Sequence, residues 1–88
     1  MQIVRFENLL PDDFPKRRDV EGAARAAFDR LEGPPCEVTL RRGPSEAGPD
    51  SVAVEVRAGA KPLAFACVYP RDRAADIAER LKLFKLRQ

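Results

Sequence analysis

Hydrophobic and polar residues alternate in several short stretches of the chain. This spacing predicts β-strands, because successive side chains of a strand point to opposite faces. The stretches are residues 2–7, 36–42, 51–58 and 63–69. In the first, the alternation places Val4 and Phe6 on one face. In the second and third, apolar residues face one way and mostly charged residues the other, so we expect one face of a sheet to form the core.

The last of these stretches is apolar on both faces. Its odd-numbered positions carry Leu63, Phe65 and Cys67, and its even-numbered positions carry alanines and a valine. A strand that is apolar all round is typical of the middle of a sheet, or of a strand covered on both sides. The pattern therefore predicts either a central strand or a strand covered on both sides.

Two further segments repeat their hydrophobic residues at steps of three and four, which predicts amphipathic helices. The first covers residues 19–32, where Asp19 can cap the start and Gly33 ends the helix ahead of two prolines. The second begins at Asp72, another plausible cap, and runs to about Leu86.

The predicted order is strand, helix, three strands, helix. Short connections between the last three strands favour an antiparallel meander, and one apolar stripe on each helix suits packing against a sheet. We therefore predict an α+β fold of βαβββα order: an antiparallel-rich four-stranded sheet with two helices packed on one face.

The composition is that of an ordinary globular domain, with 44% hydrophobic and 34% charged residues among 88. A chain this short cannot divide its apolar residues between two cores, so we expect a single domain over residues 1–88. It has no run of about 18 apolar residues and no visible signal-peptide pattern. We expect a cytoplasmic protein with no membrane partner.

The residue types favour binding over catalysis. The chain has no histidine, the usual proton shuttle near neutral pH. No glycine-rich phosphate loop follows a predicted strand. Asp12 and Asp13 are adjacent in a loop that contains prolines, which is typical of loop solvation. We therefore expect no enzymatic activity and no cofactor.

Cys36 and Cys67 both fall in predicted strands. Two isolated cysteines without histidine do not form a zinc site, so we expect no metal. The pair fits either two reduced core thiols or a disulfide between neighbouring strands, which requires Cα atoms within about 7 Å.

Basic residues are clustered, although 16 basic and 14 acidic residues give a net charge of only +2. One cluster, residues 16–18, precedes the first helix, Arg41 and Arg42 close the second strand, and a third cluster runs through the last element. Basic residues near a helix C-terminus are favoured by its dipole, so a solvated helix face is one interpretation. The other is a surface that contacts phosphates, because arginine offers a forked pair of donors.

The stretch from Ser51 to Phe84 resembles the ribosome hibernation-promoting factor family, also called ribosome-associated inhibitors or sigma-54 modulation proteins. Val-Ala-Val-Glu-Val-Arg-Ala-Gly-Ala-Lys-Pro-Leu-Ala-Phe-Ala, from residue 52, is similar to the third and fourth strands of that family with their glycine-containing turn. Asp72, Ile77 and Leu81 resemble the start and core stripe of its last helix. The segment 8–18 and Pro70 depart from the family's pattern.

The resemblance implies binding in a groove of ribosomal RNA on the ribosome, and hence regulation of translation. The residues that it implies as phosphate contacts are Arg71, Arg73, Arg80, Lys82 and Lys85, with Arg41, Arg42 and Arg57 as secondary contacts.

A different class of function is also compatible with the pattern. Leu83 and Leu86 lie roughly opposite the core stripe of the last helix, and the fourth strand is apolar on both faces. Such apolar surface can mark a protein interface. The alternative is therefore a small protein-protein interaction module, either a homodimer or an inhibitor of a larger complex.

Overall fold

The fold is α+β, with the predicted βαβββα order. The structure is a computed structural model that describes residues 1–85, with the backbone alone for residues 82–85. The strands are β1 (Ile3–Asn8), β2 (Cys36–Arg42), β3 (Val52–Ala58) and β4 (Lys61–Val68), and the helices are α1 (Arg17–Phe28) and α2 (Ala74–Lys85). A short 3-10 turn, Ser45–Ala47, lies between β2 and β3.

The strands form one four-stranded sheet in the order β1-β2-β3-β4. β1 runs parallel to β2, and β2, β3 and β4 are antiparallel to their neighbours. The parallel pair requires a crossover, which α1 supplies. β3 and β4 are joined by a tight hairpin in which Gly59 has a φ of 61°, a conformation that glycine adopts without steric cost.

One face of the sheet and both helices enclose the core. The helices contribute Val20 and Phe28 from α1, and Ile77 and Leu81 from α2, all almost fully buried. β2 and β3 contribute the inward residues predicted by the alternation, which are Cys36, Val38, Leu40, Val52, Val54 and Val56. β4 adds Ala66 and Val68, on a strand whose inward face the pattern did not identify.

The predicted orientation of Val4 is wrong. A bulge between Ile3 and Arg5 adds one residue to β1 and reverses the alternation. Val4 is 59% exposed as a result, while Ile3 and Phe6 pack against the core.

The prediction of a central fourth strand, or of one covered on both sides, is also wrong, because β4 is the last strand of the described sheet and its outer face is exposed at Phe65. α2 packs against it, which explains the apolar inner face. On the outer face Phe65 is 41% exposed. A second bulge lies in β4, where Leu63 is the extra residue opposite Val56 and Arg57 of β3. Leu63 is buried in the core.

Neither helix is capped by the residue that the sequence predicts. α1 starts at Arg17, so Asp19 lies inside its first turn, and Lys16 precedes the helix with a φ of 54° and no side-chain cap. Beyond Phe28, the chain continues to Leu31 in tighter turns. α2 starts at Ala74, and Asp76 instead of Asp72 accepts a hydrogen bond from the backbone N–H just before it, that of Arg73 (3.0 Å).

No helix within the described part of the chain is long and apolar enough to cross a membrane.

Candidate nucleic-acid interface

The sheet topology brings two of the basic clusters to one end of the molecule. Arg42 pairs with Val52, and Val52 pairs with Val68, so the C-terminal ends of β2 and β4 lie side by side across β3. With strands about 4.8 Å apart, these two ends are separated by about 10 Å. Arg71 and Arg73 follow β4 directly. We call this region, with Arg41, Arg42, Arg71 and Arg73, the basic end.

Three of these side chains are directed outward. Arg42, Arg71 and Arg73 are exposed, and none of them has a carboxylate partner within residues 1–81. Arg71 stacks its guanidinium over the Tyr69 ring, 4.8 Å from the centroid. Stacking of this kind leaves the edge of the guanidinium free to donate hydrogen bonds. We refer to these three residues as the outward arginines.

Arg80 has a different role, inside the molecule. Its guanidinium donates to the carboxylate of Asp72 and to the carbonyl oxygen of Cys67 (3.3 Å). The Asp72 side chain is only 7% exposed, and its Oδ2 also accepts from the Tyr69 N–H at 2.7 Å. Because both partners are engaged, Arg80 holds the connection between β4 and α2 and has few donors left for a phosphate.

The same connection is tied to the loop between β2 and β3. The Tyr69 hydroxyl donates to the carbonyl of Ala47 (3.1 Å). Ser51, almost fully buried, donates from its hydroxyl to the carbonyl of Gly48 (2.8 Å). An open depression of about 320 Å³ lies beside these contacts, lined by Arg42, Gly43, Ser45, Gly48 and Pro49.

The basic cluster of residues 16–18, at the start of α1, reaches the same end, because β1 is parallel to β2 and its C-terminal end lies beside that of β2. Arg17 is turned inward: its Nε donates to the Leu10 carbonyl (3.1 Å) and its Nη2 to the Asn8 carbonyl (3.3 Å). Lys16 and Arg18 are exposed. Sequence reasoning did not place them at this site, since nothing in the pattern fixed β1 beside β2.

The other expected contacts lie elsewhere or are already engaged. Arg41, on the outer face of the sheet, pairs with Glu55 of β3. Arg57 lies near the opposite end, where it donates to the Ala60 carbonyl of the hairpin (3.2 Å). For Lys82, Leu83 and Lys85 the structure describes the backbone but not the side chains, and Leu86 lies outside the described residues.

Acidic residues share the basic end. They are Asp12, Asp13, Asp19, Glu46, Asp50, Asp72 and Asp76. Two of them, Asp72 and Asp76, accept hydrogen bonds inside the chain. This mixture prevents a strong long-range positive field. Any attraction to phosphate therefore depends on short contacts made by the outward arginines.

The two cysteines lie apart in the described part of the chain. Both cysteines are free, on β2 and on β4, which β3 separates, so the disulfide alternative is wrong. Burial raises the pKa of the Cys36 thiol, which favours the unreactive protonated form. The described residues contain no group of three or more potential metal ligands.

This chain matches no known protein family, no curated protein and no solved structure.

Proposed function

We propose that this protein is a non-catalytic module that binds RNA on the ribosome and regulates translation, and that the outward arginines at the basic end contact the phosphate backbone. The observation that carries the proposal is the convergence of Arg42, Arg71 and Arg73, exposed and without carboxylate partners in the described region, at one end of the sheet. The resemblance of residues 51–84 to ribosome hibernation-promoting factors supports the same function.

The geometry of these residues suits phosphate binding. Each guanidinium can donate a parallel pair of hydrogen bonds to one phosphate. The contacts that surround Arg71, from Tyr69 through Asp72 to Arg80, limit the conformational freedom lost when RNA binds. α1 and α2 also begin at this end, where the helix dipoles add a partial positive charge that Asp19 and Asp76 in the first turns partly offset.

The number of phosphate contacts determines how strongly RNA binding should depend on salt. Three phosphate contacts on RNA should give a slope of about −2 to −3 when the logarithm of the binding constant is plotted against the logarithm of the salt concentration. A strongly basic protein would give a much steeper dependence. The near-balanced charge of the basic end therefore predicts modest affinity with a shallow salt dependence.

The test measures binding to purified ribosomes by co-sedimentation and to a labelled RNA hairpin by fluorescence anisotropy, at low and moderate salt. The variant Arg42→Gln/Arg71→Gln/Arg73→Gln should bind at least about tenfold more weakly at low salt, with a flatter salt dependence. Undetectable binding of the unmodified protein to both ligands at low salt would rule the proposal out.

A matched control removes the same charge from the other end of the molecule. Arg5, Arg30 and Lys61 are exposed and lie towards the opposite end of the fold. The variant Arg5→Gln/Arg30→Gln/Lys61→Gln should retain nearly all of the RNA affinity. Equal losses in the two variants would indicate attraction by total charge and contradict a defined site.

A second candidate function is a small protein-protein interaction module. It is favoured by Phe65, an aromatic side chain 41% exposed on the outer face of β4. Leu83 and Leu86 are the other residues expected at such an interface, and their side chains lie outside the part of the chain that the structure describes.

A further inference from the structure

The two edges of the sheet differ in how well they are protected against pairing with another strand. β1 carries charged Arg5 and Glu7 on its outer face and is interrupted by the bulge at Val4. Charges and bulges are the usual means by which a sheet edge avoids a further strand. β1 is therefore a poor edge for association.

β4 has its protection only at its two ends. Lys61, Pro62 and the nearby bulge cover the start, and the Arg80 guanidinium, which donates to the Cys67 carbonyl, covers the finish. Between them, Ala64-Phe65-Ala66 carries no charge. In the described sheet this stretch pairs with β3 on one side, and its other side has no neighbouring strand. This short stretch can accept another strand.

The stretch is also complementary to itself. Ala-Phe-Ala reads the same in both directions, so two antiparallel copies centred on Phe65 match residue for residue. Phe65 would lie opposite its symmetry mate, where Cβ atoms are about 5 Å apart and aromatic rings stabilise the pair. Each Ala64 would lie opposite an Ala66 of the other copy. These side chains are small, so the two strands can approach without a steric clash on the face opposite Phe65.

We propose that β4 is a homodimer interface: two copies of this chain pair their β4 strands antiparallel about a twofold axis at Phe65 and form a continuous eight-stranded sheet. The twofold arrangement uses the same edge on both copies and closes the assembly at two. The protected β1 edge prevents further growth. Because the seam is short, the dimer is weak and its population depends on protein concentration.

The test is sedimentation velocity over a range from low to high micromolar protein concentration. The unmodified chain should shift from monomer to dimer. Phe65→Lys and Phe65→Glu should each remain monomeric, with an association constant at least about tenfold lower, because like charges meet at the axis. Mixing the two variants should restore the dimer by placing opposite charges together. This restoration separates a lost interface from a lost fold.

Val4→Lys is the control, because Val4 is likewise an exposed apolar residue on an edge strand. It should dimerise like the unmodified chain. A chain that stays monomeric throughout the range would overturn the proposal. So would dimers of Phe65→Lys as strong as the original, which would place the interface elsewhere, for example at another copy's helix. Neither result bears on RNA binding, which depends on the basic end.

Discussion

The segments that lead into the two helices meet at the same end of the molecule and use arginine in the same two ways. At the start of α1, Arg17 turns inward and its neighbours Lys16 and Arg18 turn outward. Before α2, Arg71 and Arg73 turn outward, and Arg80, from within the helix, turns back onto the segment. A count of basic residues does not distinguish these roles.

The two inward arginines differ in what they bind. Arg17 donates to two carbonyl oxygens, those of Asn8 and Leu10, whereas Arg80 donates to a nearly buried carboxylate. Loss of the first leaves neutral acceptors that water can satisfy. Loss of the second leaves a buried charge without its partner, which is far more costly. The difference predicts a graded set of effects on stability.

The largest effect should come from Arg80→Ala. It should lower the free energy of unfolding by about 2–3 kcal/mol, less than for a fully buried pair because the Arg80 side chain is 37% exposed. Urea denaturation measures the change. Asp72→Asn/Arg80→Ala should be more stable than Arg80→Ala, since the unpaired charge is then gone. A loss below about 0.5 kcal/mol in Arg80→Ala would mean that the pair does not hold the segment.

A smaller effect should follow from Arg17→Ala, which removes two charge-assisted hydrogen bonds to carbonyls at a partly exposed site. We expect the free energy of unfolding to fall by about 1 kcal/mol. Arg18→Ala, at the adjacent exposed position, should change it by less than about 0.5 kcal/mol. Equal changes in the two variants would contradict the inward role of Arg17.

The smallest effect concerns Glu21, which links α1 to the end of β1. A hydrogen bond from the Asn8 side-chain amide (2.9 Å) holds the pKa of Glu21 below its usual value of 4.5, and Arg25 lowers this pKa further. The carboxylate therefore adds stability above about pH 4.5, and this stability is lost as the pH falls through the lower folded-state pKa. Glu21→Gln should cost about 0.5 kcal/mol at neutral pH.

The pH dependence provides the control for Glu21→Gln. The difference in unfolding free energy between this variant and the unmodified protein should disappear in acid, once Glu21 is protonated in both folded and unfolded states. Thermal unfolding between about pH 7 and pH 3 tests this. A difference that stays constant over that range would show that the carboxylate charge is irrelevant.

The periodicity of the sequence predicts the element order and most of the core, because burial imposes the alternation of β2 and β3 and the stripes of the helices. It does not predict the bulge that turns Val4 outward, since one added residue reverses every later side chain. It also does not identify β4 as an edge. Its inner face is apolar because α2 covers it, and a pattern cannot distinguish a covering helix from a neighbouring strand.

The site was less predictable than the fold. Arg71, Arg73 and Arg42 lie at one end as a basic cluster should, but Arg80 lies in the same sequence run and binds Asp72. Both residues were expected in other roles, as a phosphate contact and a helix cap. The pairing of Asp72 with Arg80 depends on where α2 packs relative to the end of β4. That position is set by tertiary packing and leaves no signal in residue spacing.

The division between inward and outward arginines can be observed directly in one titration. NMR spectra of the arginine Nε–H groups would be recorded as a short ribosomal RNA hairpin is added. The signals of Arg42, Arg71 and Arg73 should shift progressively, while those of Arg17 and Arg80 remain in place. Shifts at Arg80 and Arg17 with none at the outward three would contradict the account.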